Sequence, residues 1–181
     1  MRLGIADHFG WAVAVTASPD HEVADRRRIE LIEPGLSPAP IHYESKRLDV
    51  AATRALVDEV RASVARATSA ALDGIARALP APVASISLRA LPPDFPADIA
   101  TQRRSPYEAR ADAIMYRQVL ADLARARNWD VLFYDAKEVV GLAVRTLGAR
   151  ADVVLDGPRA TLGPPWTKDH RTALAATIAA G

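Results

Sequence analysis

Residues 2–17 read RLGIADHFGWAVAVTA, and the fold turns on how this stretch is divided. Two short apolar runs, 2–7 (RLGIAD) and 11–17 (WAVAVTA), are separated only by His8, Phe9 and Gly10. Their β-branched and aromatic content, the short gap and the glycine predict an antiparallel hairpin. After a polar turn containing Asp20, His21 and Glu22 comes the run 27–32 (RRIELI). Arg28 and Glu30 fall to one side of it and Ile29 and Leu31 to the other, the period of a half-buried strand. Three consecutive strands are therefore expected at the start.

The pattern then changes. Over 51–79, Leu56, Val60, Val64, Ala67, Ala71, Ile75 and Ala78 recur at spacings of three and four, which predicts one apolar face of a long helix. Beyond Pro80 and Pro82, the run 83–88 (VASISL) reads as a fourth strand. Ser105-Pro106-Tyr107-Glu108 has the form of an N-cap, a proline at the first helical position and a capping-box glutamate. It predicts a helix to about Arg127, stopped at Asn128. VLFYD (131–135) reads as a strand ending in an acid, and 137–147 as a helix closed by Gly148. ADVVLD (151–156) fits either a short strand or a buried turn. Thr167 is placed to cap a last helix over 168–180. Antiparallel strands followed by strands alternating with helices predict one α/β domain over 1–181. Its mixed sheet would have about five strands, the first three antiparallel and the later ones parallel, with helices on both faces.

The composition narrows the function classes. In 181 residues, 23 Lys and Arg face 22 Asp and Glu, a net charge of +1, which argues against a uniformly basic coat for nucleic acid. With no cysteine, disulfides, thiolate zinc sites and cysteine nucleophiles are excluded. Asp7 interrupts the first apolar run before a secretory core of about 7–15 residues could form. No stretch nears the roughly 18 apolar residues of a spanning helix. A cytoplasmic, soluble protein without a membrane partner is expected. No glycine-rich phosphate loop, GxSxG elbow or HExxH pattern occurs.

Acids at strand ends carry the candidate chemistry. Asp7 ends the first strand and Asp135 follows a later one, and parallel strands present their C-terminal ends to one edge, where open α/β sheets bind ligands. Asp169, in the first turn of the last helix, could approach the same edge. Carboxylates converging there would suit a hard cation such as Mg²⁺ or Mn²⁺. Each acid also has a plainer use. Asp7 could bond its own turn, Asp135 has the position of an N-cap, and Asp169 interacts favourably with the helix dipole.

The strand LGIAD with Gly10 and WAVAV behind it, the three leading strands and the stretch from Ala111 to Leu147 resemble the ribonuclease H-like superfamily. Within it the RuvC-type Holliday-junction resolvases are the nearest likeness. The closing KDHRTALAATIAA is similar to that family's last helix. This resemblance implies a divergent Mg²⁺- or Mn²⁺-dependent nuclease acting on branched or hybrid nucleic acid, and a homo-oligomer is compatible with it. Asp7 and Asp169 carry over as metal-holding and catalytic acids. Asp135 or His170 would complete the shell, and His8 and His170 adjoin the retained acids as ligands or proton carriers. Arg89, Lys137, Lys168 and Arg171 would meet phosphate, with Arg26–Arg28 and Arg103–Arg104 adding to a basic patch. Three positions depart from the family pattern. Ser87-Leu88-Arg89 stands where the second carboxylate belongs, Thr172 replaces another acid, and the turn after Asp7 is short. The alternative expectation is a non-catalytic ribonuclease H-like module binding nucleic acid or protein. Arg89 would there neutralise Asp7 or Asp169 in place of a metal.

Overall fold

A computed structural model describes residues 1–179. Five strands form one sheet: β1 (Arg2–Asp7), β2 (Trp11–Ala17), β3 (Val23–Glu30), β4 (Ser85–Arg89) and β5 (Asp130–Tyr134), in the order β3-β2-β1-β4-β5. β1 pairs antiparallel with β2, Asp7 opposite Ala12, and β2 pairs antiparallel with β3. β4 lies parallel to β1, and β5 parallel to β4. This is the mixed five-stranded sheet expected from the order of apolar runs. Gly10 turns the hairpin at φ +80°, a left-handed conformation that glycine adopts without cost. In β3, Ile29 and the following Leu31 are buried while Arg28 and Glu30 are exposed, as the alternation requires.

Among the described residues seven α-helices accompany the sheet: α1 (Val50–Ala78), α2 (Ile99–Gln102), α3 (Glu108–Arg125), α4 (Val139–Leu147), α5 (Ala151–Leu155), α6 (Pro158–Leu162) and α7 (Lys168–Ala179). On one face α1 and α3 pack Val60, Val64, Leu72, Ile75, Met115, Tyr116 and Leu120 against Leu3, Ile5, Ile86 and Leu88. On the other, α4, α5 and α7 close over Ala6, Val13, Val15 and Tyr134. Gly4 fixes how near α7 comes. A Cβ there would sit 1.8 Å from the carbonyl oxygen of Ala173, so only a residue without a side chain lets α7 lie on β1.

Several local expectations are corrected. Residues 151–155 are helical, neither strand nor turn. Ser105 does not cap α3: the helix begins at Glu108, after a tight turn in which the amide of Tyr107 bonds the carbonyl of Arg104 at 2.8 Å. The buried stripe of α1 runs through Thr53, Val57, Val60, Ser63, Val64, Thr68, Leu72 and Ile75. It is rotated from the alanine-rich stripe, and Ala78 is exposed. A small hydroxyl residue can fill a core position there by bonding a backbone carbonyl of its own helix, as Thr53 does to the carbonyl of Asp49 one turn back at 2.6 Å. Asn128 stops the region after α3 at φ +57°, and Gly148 closes α4 at φ +56°. The expected end of the last helix at residue 180 lies outside the described residues. No helix among the described residues is long and apolar enough to cross a membrane.

Candidate functional site

The parallel strands bring three sequence positions to one edge: Asp7 at the end of β1, Arg89 at the end of β4, and Asp135 just past β5. Asp7 ends a strand whose last five residues are all buried, and it is itself 4% exposed. A buried carboxylate needs a partner. It finds one in Arg117, whose Nε donates to Asp7 Oδ2 at 2.8 Å. Arg117 lies on α3, is 9% exposed, and faces the carbonyl of Ala90 with Nη1 at 3.4 Å. On the other side, Arg89 Nε stands 3.8 Å from Asp7 Oδ1. Neither of those two atoms has a hydrogen-bond partner among the described residues. One anion is thus faced by two guanidinium cations. Below it, Tyr134 Oη donates to the carbonyl of Ile5 at 2.7 Å. Burial pushes that phenol up to about 12, and the neighbouring Asp7 charge pushes the same way.

Asp135 does not turn toward Asp7 as a ligand. Its Oδ1 accepts the amide of Lys137 at 2.6 Å and its carbonyl accepts the amides of Glu138 and Val139, which makes it the start of the turn into α4. Asp169 is likewise engaged. His8 Nε2 and Asp169 Oδ2 are 3.1 Å apart, joining the β1–β2 turn to the first turn of α7. His170 is buried, and its Nδ1 accepts from the amide of Thr167 at 3.2 Å and from its hydroxyl at 2.9 Å. That geometry places the ring proton on Nε2. Burial, and then the Arg26 charge, hold this imidazole below its ordinary value. His170 therefore closes the N-terminus of α7 in its neutral form, and Thr167 acts as donor to it. Among the described residues no group of three or more His, Asp or Glu side chains is placed to hold a metal ion. In this arrangement Asp7 faces two cations, Asp135 accepts a turn amide, and Asp169 holds a histidine.

The expected phosphate-meeting residues divide. Arg89, Arg117, Arg110 and Lys137 line a cleft of about 440 Å³ with Tyr134 and Asp135. Lys168 is exposed at the start of α7, while Arg171 is tied to Asp156 with Nε 3.2 Å from Oδ1. Arg26 leaves the basic patch altogether. It gathers the carbonyls of Leu162 at 2.7 Å and Gly163 at 2.9 Å, and also that of Pro165, pinning the segment before α7. Arg27 bonds Asp25 at 2.7 Å, and Arg103 bonds the carbonyls of Ser45 and Leu48.

Arg117 is the residue that strand-end reasoning misses. Its signal was its helical position: Ile114, Arg117, Ala121 and Ala124 share a buried stripe of α3. An arginine on such a stripe requires a buried counter-charge. The chain matches no protein-family model, and no curated protein matches it.

Proposed function

We propose that this chain is a ribonuclease H-like module that binds nucleic acid through its sheet edge without cutting it. One observation carries the reading: the Asp7 carboxylate is held by Arg117 at 2.8 Å and faced by Arg89 at 3.8 Å. Cations supplied by the protein stand where the family resemblance would put a divalent ion, so the negative strand end is neutralised from within. Four basic side chains around the adjoining cleft, Arg89, Arg110, Arg117 and Lys137, outnumber Asp7 and Asp135 there and leave net positive charge for phosphate. The near-neutral total charge does not oppose this, because phosphate meets the local excess of cations around the cleft and not the sum over the chain.

The test is a mobility-shift and cleavage assay on labelled branched DNA, hybrid duplex and single strands, with Mg²⁺ or Mn²⁺ present. The expected outcome is retention that weakens as salt rises, with no product. Metal-dependent cleavage that disappears in Asp7→Asn would overturn the reading in favour of a nuclease. Absence of retention on every substrate at low salt would overturn nucleic-acid binding itself.

A further inference from the structure

The β1–β2 turn carries a second arrangement that the arginine cleft does not use. His8 and Trp11 stack with ring centroids 4.1 Å apart and planes within 10°. Arg28, on β3, lays its guanidinium over Trp11, 4.3 Å from the ring centroid. The result is a ladder of three flat groups, Arg28–Trp11–His8, drawn from β3, β2 and the turn. Each end is steadied by an acid. Glu30 bonds Arg28 at 3.0 Å, and Asp169 holds His8 at 3.1 Å. The end groups remain open to solvent, the His8 side chain 39% and that of Arg28 58% exposed.

Trp11 itself is partly buried against the core under α7, and what the core leaves unused is the wet outer face of the groups stacked on it. A nucleobase can use that face, because every base has a π-face that can extend such a ladder. His8 is the chain neighbour of Asp7, so the ladder begins one residue from the guanidinium cleft. Aromatic rings beside a basic groove are the chemistry by which unpaired strands are held without sequence preference. In a duplex the bases are already stacked on one another and their faces are hidden. We infer that the ligand of this edge is single-stranded nucleic acid, with unpaired bases stacked on the His8–Trp11–Arg28 ladder and its phosphates led into the cleft of Arg89 and Lys137. This inference rests on the nucleic-acid-binding reading above and narrows it to one substrate class.

The experiment is fluorescence anisotropy on the full chain with a labelled oligothymidine of about 12 nucleotides, within the span of common single-strand sites. The same strand annealed to its complement and an abasic strand of equal phosphate count serve as competitors. The oligothymidine should bind at least about 10-fold more tightly than either, the size expected from one or two stacked bases. His8→Ala and Trp11→Leu should each lose about 10-fold while the slope of affinity against salt stays unchanged. Trp11→Phe should restore most of the Trp11→Leu loss. Arg89→Ala and Lys137→Ala should instead lower the salt slope by about 1 each. Equal binding of abasic, duplex and single strands, with the ladder variants unaffected, would overturn the inference and leave phosphate binding standing. Binding of none of them would overturn both. Thermal melts matching the wild type confirm that the variants are folded.

Discussion

Replacing Arg117 by methionine should unfold more than a surface arginine would. Methionine keeps the length of the side chain and its apolar contacts with α3 neighbours, but leaves Asp7, with a side chain 3% exposed, without its 2.8 Å partner. Breaking a buried pair by removing one member costs about 3–5 kcal/mol. Arg89 remains 3.8 Å away with its side chain 35% exposed, so it compensates in part and the loss should fall near the lower end, about 3 kcal/mol. For a chain of this size that lowers the melting midpoint by about 6–12 °C. Asp7→Asn should also destabilise, because it removes the negative charge that the buried Arg117 and the neighbouring Arg89 both face. Asp7→Asn combined with Arg117→Met removes both charges. It should therefore cost less than the sum of the singles by about 2 kcal/mol, a coupling within the range of residues in direct contact. Urea unfolding followed by tryptophan fluorescence, on all four proteins at neutral pH, gives the cycle. Additivity within about 0.5 kcal/mol would refute the claim that these two residues form one unit.

Gly4→Ala should destabilise by about 3 kcal/mol or more in the same assay, because the new methyl meets the Ala173 backbone at 1.8 Å and α7 must lift from β1. Asp112 makes a pH prediction. It accepts the amides of Ile41 at 3.1 Å and His42 at 2.9 Å, yet burial pushes its carboxyl up from 3.8 to about 6. Between about pH 4 and pH 6 the folded state holds a proton that the unfolded chain releases. Its contribution is therefore full below the unfolded value and is lost as pH rises through the folded one, by up to about 3 kcal/mol. Stability curves of wild type and Asp112→Asn should diverge across that window and run parallel above it; parallel curves throughout would contradict the assignment. Arg26→Ala should abolish hydrogen-exchange protection around 158–166 while lowering global stability by about 1–2 kcal/mol, since it removes several bonds to the carbonyls of 162–165.

The hairpin, the long helix and the strand–helix alternation were legible because each rests on a local period that the sheet and helix geometry impose. Residues 151–155 were not, because five apolar and acidic residues carry no period long enough to separate strand from helix. The capping pattern at Ser105–Glu108 misled for a related reason: it is a local motif, and the preceding turn through Arg104 set the helix start. At the site, the strand-end position of Asp7 and the opposite charge of Arg89 could be read directly. The partner that governs Asp7 could not be read from the strands, since α3 supplies it from 110 residues away. The helical stripe holding Arg117 marks it as buried but does not by itself say which acid it meets. Asp169 and His170 illustrate the same limit. Adjacent in sequence, they part on folding, one toward His8 and one back to Thr167.

The proposal that guanidinium groups, and no divalent ion, neutralise Asp7 is tested most directly by calorimetric titration of the wild-type chain with Mn²⁺, alongside Asp7→Asn. With Arg117 and Arg89 already facing the carboxylate, the two proteins should give the same small, unsaturable heats. A saturable Mn²⁺ heat in the wild type that vanishes in Asp7→Asn would contradict it.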